Sequence, residues 1–397
     1  MAFLKSLSPL TLIGIFFLTI SCKGDQDTNT TSQVGTKVAI DTAKAEVFLD
    51  QLQLPDGFSI EVWAADVPNA RSMALTEEGI VFVGNRQEKN VYALLDENGD
   101  GKADVKYILA ADLQMPNGVA YKDGDLYVAE VSRILRFKDI KNNLATPTYE
   151  VVYDGYPEET HHGWKFIAFG PDGKLYVPVG APCNICLSED PIFASITRLD
   201  VQTPGAKPEI FAHGVRNSVG MTWHPGTGEM WFTDNGRDMM GDDVPDCELN
   251  RVTAPGQHFG YPFWHAGTVQ DPEFGTEGQE ASFYIPPVAK LGAHTAPLGL
   301  RFYTGDQFPA SFKNQLIIAK HGSWNRSKKS GYEVVVIKLD STGSAIGEEV
   351  LVSGWLNQDT QEAWGRPVDV QQMKDGSLLI SDDVANCIYK LSYTPEK

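Results

Sequence analysis

Phe169-Gly-Pro-Asp-Gly-Lys-Leu-Tyr-Val177 sets an apolar residue before a short turn built on Asp-Gly and an alternating apolar run after it. Period-2 alternation on both sides of such a turn is the pattern of a β-hairpin. Weaker copies of the phrase stand at residues 73–83, 118–128, 220–232, 299–318 and 368–380. With Phe82, Tyr127, Tyr176, Trp231, Ile317 and Leu379 as equivalent positions, four intervals run about 45 to 62 residues and one about 86. A four-stranded propeller blade takes roughly 40–50 residues, and no long helical pattern separates the copies. The spacing therefore predicts an all-β fold, a six-bladed β-propeller. Phe58–Ala64 and Cys387–Tyr393 are expected to share the last blade and close the ring, which removes exposed sheet edges.

The long interval holds His258-Phe-Gly-Tyr-Pro-Phe-Trp-His265 and Gly292-Ala-His-Thr-Ala-Pro297. Its aromatic density marks it as wall material for a ligand site rather than a disordered loop.

The chain has 397 residues, 42% of them hydrophobic, enough for a large core. Its net charge of −19 argues against nucleic acid as a partner. Any anionic ligand must then be held by a local basic cluster. At the N-terminus, Lys5, an apolar run and Leu18-Thr-Ile-Ser-Cys22 have the layout of a secretory signal. The segment is similar to a bacterial lipoprotein signal, which implies residues 1–21 as signal and Cys22 as the lipidated residue. Residues 22–45 are polar and read as a flexible tether, with 46–397 as the propeller. The expected location is the bacterial cell envelope, on a lipid anchor. Export permits disulfides. Cys183 and Cys186 suit a small intraloop bridge, while a Cys247–Cys387 pair has no spacing rule behind it. Cys183-Asn-Ile-Cys186 is followed by Leu187 where haem attachment needs His.

Asp96-Glu-Asn-Gly-Asp-Gly-Lys-Ala-Asp104 places Asp96, Asn98, Asp100 and Asp104 at the first, third, fifth and ninth positions of a calcium loop. Tyr107 stands where the loop needs a bidentate Glu. A water-facing Asp/Gly turn is the simpler alternative. In Thr160-His-His-Gly-Trp-Lys165 an imidazole leads into the best hairpin, where it faces the propeller channel and can take a proton near neutral pH. Gly214-Val-Arg-Asn217 precedes the fourth copy at the equivalent place, and Asp234-Asn-Gly-Arg237 follows it. Lys320 ends the inner hairpin of the fifth copy, and Trp364-Gly-Arg-Pro367 leads into the sixth. Cations from separate blades aimed at one channel are costly unless an anion, or neighbouring Asp and Glu, offset them.

This set, in this order, resembles the soluble pyrroloquinoline-quinone (PQQ)-dependent sugar dehydrogenases, and most closely their sorbosone-dehydrogenase-like branch. The resemblance spans residues 54–393 and includes Glu248-Leu-Asn250 and Phe259-Gly-Tyr-Pro262. It implies a tricarboxylate quinone lying on the propeller, its carboxylates held by Arg216, Lys320 and Arg366, with Asn217 at its polar edge. It further implies a calcium ion on the backbone carbonyls of Gly236 and Arg237, and a catalytic pair of His162 as base and Arg216. The choice between His161 and His162 stays open, with His162 favoured for its place beside Gly163. Where glucose-oxidising members have Gly-Asp to hold the base, this chain has Gly180-Ala-Pro-Cys183. Glu159, Asn184 or another loop carboxylate are the candidates for that task. The implied reaction is oxidation of an aldose, sugar aldehyde or polyol, with electrons leaving to an external acceptor, a cytochrome or a quinone. A calcium-dependent lactonase and a non-catalytic binding propeller are the competing readings, since the fold alone decides nothing.

Overall fold

The hairpin predicted at 169–177 forms as Ala168–Phe169 paired antiparallel with Leu175–Val179, Phe169 opposite Leu175. Gly173 adopts φ +79° in its turn, a left-handed value that a side chain rarely tolerates. Five further hairpins repeat the arrangement in this computed structural model, which describes residues 33–395. Each grows into a four-stranded antiparallel sheet, giving six blades and no α-helix among the described residues. The inner strands are Met73–Leu75, Gly118–Lys122, Ala168–Phe169, Met221–Trp223, Pro297–Phe302 and Pro367–Gln372.

The ring closes as expected. Phe58–Ala64 pairs antiparallel with Cys387–Tyr393, Phe58 opposite Tyr393 and Val62 opposite Tyr389. Adjacent blades are joined by apolar cores. Between the fourth and fifth, Trp231 is fully buried among Leu249, Phe302, Ile318 and Val335. At about 25 cal/mol per Å² of apolar surface, such interfaces supply most of the stabilisation.

Two expectations are corrected or extended. The tether does not reach residue 45: Lys37–Ala39 pairs with Val105–Ala110 as a fifth, outermost strand of the first blade. The Gly35 N–H donates to the Ile108 carbonyl (2.8 Å), so ordered chain begins before residue 46. The alternating Lys-Val-Ala run is too short to stand out from the polar segment around it. The long insertion adds Gln257–His258 in parallel to Glu209–His213 of the third blade and forms a small hairpin, Trp264–His265 with Val269–Gln270. The signal and Cys22 lie outside the described residues. No described helix is long and apolar enough to cross a membrane.

Antiparallel pairing fixes where chemistry collects. The turns that join the paired strands lie at one end of each inner hairpin. Chain entering the first strand and leaving the second lies at the other end, and there the blades converge on a cleft.

Candidate active site

A cleft of about 450 Å³ opens at that end, lined by residues within a few positions of inner-strand termini. His162, Arg216, Asn217, Gly236 and Arg366 all line it, so the structure brings most of the predicted set together. His161 is exposed and outside the lining, so of the pair it is His162 that lies in the cleft.

Lys320 is a correction. It lies opposite Glu333 in the sheet, and its Nζ is 2.5 Å from Glu348 and 3.5 Å from Glu333. Successive residues of a strand face opposite sides, so Lys320 points into its own blade and His321 enters the cleft instead. Arg237 is another. Its side chain runs outward to Asp271 (2.5 Å) and Glu273 (2.9 Å), tying the insertion to the fourth blade. The carbonyls that converge at the cleft are those of Asn235 and Gly236, both accepting from Arg216 Nη1 (3.1 and 2.9 Å). The 96–104 loop stands outside the cleft lining. Asp96 caps the N–H groups of Gly99 and Gly101, Asn98 that of Asp100, Asp100 that of Lys102, and Asp104 that of Glu97. These are Asx-type turns. Among the described residues no group of three or more His, Cys, Asp or Glu side chains is arranged to hold a metal.

His162 adopts φ +51° and packs so closely on Gly180 that a Cβ there would sit 2.5 Å from its own. Its Nδ1 donates to the Ala181 carbonyl (2.9 Å) and Nε2 has no partner among the described residues. A backbone carbonyl thus does what a carboxylate was expected to do, and fixes the tautomer. Burial first, then Arg216 and His161, push its pKa down to about 2, so the ring is neutral.

Arg216 is held on all sides. Its Nε donates to the Asn184 carbonyl and Nη2 to Asn184 Oδ1 (both 2.8 Å), with Asp238 at 3.4 Å from Nη2. Asp234, buried and accepting the N–H groups of Arg216 and Asn217 (2.8 and 2.6 Å), fixes the backbone behind them. Asn217 lines the cleft with an amide that makes no hydrogen bond to the protein.

Two cations that sequence reasoning missed complete the site. Arg71 pairs with Asp383 (2.5 Å), which also holds His321 Nε2 (2.8 Å). Although burial acts to raise it, His321 and Arg71 hold the Asp383 carboxyl well below the usual range. Arg86 lies over the Trp164 ring at 4.5 Å, and its guanidinium forms no ion pair or hydrogen bond with the other described residues. Burial, then Arg71, lower its pKa. Arg366 donates from Nε to the His321 carbonyl (2.9 Å) and from Nη2 to the Gly322 carbonyl, leaving its charge unneutralised. The signal for both was available: Arg71 precedes the first inner strand as Arg366 precedes the sixth, and Arg86 follows the second strand of its hairpin as Arg237 does.

Comparison with known proteins gives two family matches. The family described as TrAA12-like matches residues 52–275, more than half of the chain, and Glucose / Sorbosone dehydrogenase matches residues 194–390. An uncharacterized protein of Borreliella burgdorferi is 32% identical over 365 residues, 89% of this chain and 93% of its own. Aldose sugar dehydrogenase YliI of Escherichia coli is 26% identical over 197 residues, 48% of this chain and 46% of that one. The holo form of the pyranose dehydrogenase PQQ domain from Coprinopsis cinerea matches with a TM-score of 0.72 at 18% identity, over 86% of this chain and 97% of the other. A likeness at that identity shows a shared fold.

Proposed function

This chain belongs to the soluble PQQ-dependent sugar dehydrogenase family, and from that premise we propose that it oxidises an aldose, sugar aldehyde or polyol with PQQ and Ca²⁺ as cofactors. The observation that carries the reading is Arg86: an unpartnered guanidinium in a cleft that also holds Arg71, Arg216 and Arg366. Asp383 and Asp238 are the cleft-lining carboxylates that meet these four cations, so the site has room for a multiply negative guest.

The residues present fit the group. Arg86, Arg71 and Arg366 would hold carboxylates, for which planar guanidinium forks are well suited. The Asn235 and Gly236 carbonyls, already converging on one cationic nitrogen, are the hard oxygen donors that Ca²⁺ takes. When bound, the quinone supplies a hydride acceptor, with calcium as a Lewis acid beside it. His162 Nε2, unprotonated and free of protein partners, removes the proton of the substrate hydroxyl. An anion in the cleft offsets the Arg216 charge that depresses this imidazole, and so raises its basicity when it is needed. Arg216 then lies beside the imidazolium and drives its proton out to solvent. Trp324, 69% exposed at the rim, offers an apolar face to a sugar ring.

Membership of the sorbosone-type branch, delivery of electrons to an external cytochrome or quinone, and attachment to the cell envelope through a lipid on Cys22 complete the proposal. The test is reconstitution of the purified protein with PQQ and calcium, then dye reduction across a panel of sugars and polyols. The absence of both dye reduction and a cofactor-linked absorbance change with every one of them would overturn it.

A further inference from the structure

The Cys183–Cys186 bridge forms, with Cα atoms 6.2 Å apart. It closes a turn inside the long connection between Leu175–Val179 and Ser195–Leu199, which has no strand of its own. Asn184, between the two cysteines, meets Arg216 through both its backbone carbonyl and its side-chain oxygen. The same Oδ1 accepts the Asp238 N–H (2.8 Å), and Nδ2 donates to the Asp238 carbonyl (3.0 Å). Tyr261, from the insertion, accepts the Cys186 N–H at its hydroxyl (3.0 Å). Just upstream, the Ala181 N–H donates to the Arg216 carbonyl (2.8 Å), while the Ala181 carbonyl orients His162. One connection therefore holds both the cation and the base.

We propose that the Cys183–Cys186 loop is a redox-sensitive clamp on the site: the bridge holds Asn184 as the positioning residue for the Arg216 fork, and its reduction loosens anion binding in the cleft. A guanidinium whose N–H groups are shared among Asn184, Asn235, Gly236 and Asp238 cannot turn, so it presents a fixed charge. Opening the bridge costs that order. A dithiol reductant gives up two electrons and two protons and becomes a disulfide, while the Cys183–Cys186 bond is replaced by two thiols. Asn184 then sits in an unbraced loop, and two of the Arg216 contacts depend on the position of its backbone and side chain.

The inference rests on the dehydrogenase reading only for the identity of the anion, PQQ. The test uses the full chain with ¹⁵N-labelled arginine, the Arg216 Nε–H resonance being assigned by its loss in Arg216→Lys. Wild type, wild type treated with dithiothreitol, the Cys183→Ser/Cys186→Ser double variant, Asn184→Ala and Asn184→Asp are compared, with thermal melts reporting the fold. Nε–H exchange is expected to quicken about tenfold on reduction and in the double variant, which free the Asn184 backbone carbonyl that accepts it, and to change less in Asn184→Ala and Asn184→Asp, where only the acceptor of Nη2 is altered. PQQ affinity should fall about tenfold in the same proteins. Unchanged Nε–H exchange in reduced wild type overturns the clamp. Quickened exchange with unchanged PQQ affinity overturns its link to the ligand. If wild type binds no PQQ yet exchange quickens on reduction, the clamp stands and the choice of quinone fails.

Discussion

Arg86→Ala should weaken PQQ binding while leaving the fold intact, because Arg86 has no acceptor in the protein to abandon. In the free chain the variant loses the contact with Trp164 at 4.5 Å, about 0.5–2 kcal/mol. Relief of repulsion from Arg71 and Arg366 works the other way. Against a bound carboxylate the same side chain contributes a charge-assisted fork of about 1.5–3 kcal/mol. That corresponds to a rise in Kd of about 10- to 150-fold. Lys320→Ala is the internal control with the opposite signature. The Lys320 side chain is 4% exposed and meets Glu333 and Glu348, which are 23% and 35% exposed. Removing it leaves two partly solvated carboxylates without a partner, a stability loss of about 1–3 kcal/mol after discounting for solvent, with affinity unchanged. Titration of PQQ against each protein, followed through the fluorescence of the cleft residues Trp164 and Trp324 and paired with thermal melts, separates the two. The reasoning is refuted if Arg86→Ala binds within twofold of wild type, or if Lys320→Ala weakens binding as much.

His162→Ala should abolish dye reduction and leave PQQ affinity within about threefold, since its contribution is a lone pair rather than a charge; an affinity loss matching that of Arg86→Ala would count against the assignment. Gly180→Ala places a methyl 2.5 Å from His162 Cβ and 2.8 Å from its carbonyl oxygen, so turnover should drop at least about tenfold through misplacement of the base, and an unchanged rate would contradict it. On acidification, stability should fall from pH 6.5 towards 2, because the folded His162 stays neutral while the unfolded one binds a proton. Urea melts across that range report the slope. Glu248 has the opposite sign: burial and Asp234 raise it from 4.5 to about 8, so its contribution is full below 4.5 and lost as pH climbs through 8. Turning the Asn250 amide lets a protonated Glu248 donate to Asn250 Oδ1, which otherwise lacks a partner. Glu248→Gln should flatten the alkaline limb of the same melts, and an identical slope in the variant would remove Glu248 from the explanation.

The architecture was legible because a hairpin writes itself locally: Phe169–Val177 contains its own turn glycine and its own alternation. Ring closure was legible for the same reason, two isolated strand patterns at opposite ends with no local partner. The bridge followed from the spacing of Cys183 and Cys186. What failed was direction at single-residue resolution. Lys320 and His321 differ by one step along a strand, and only the register with Glu333 reveals which of them reaches the cleft. The orientation of His162 depends on the Ala181 carbonyl, a group every residue possesses and no motif can mark. Arg71 and Arg86 were missed although the positional rule that selected Arg366 and Arg237 applied to them.

The seam of the propeller has a bearing on biosynthesis. The sixth sheet draws one strand from Phe58–Ala64 and three from residues 367–393, so no nascent chain that ends before Cys387 can complete the circle. Until the ribosome has added those last residues, Phe58–Ala64 has an unpaired edge and the first and fifth blades have no neighbour between them. Closure of the ring is thereby a late event in synthesis, set by when Cys387–Tyr393 can reach Phe58–Ala64.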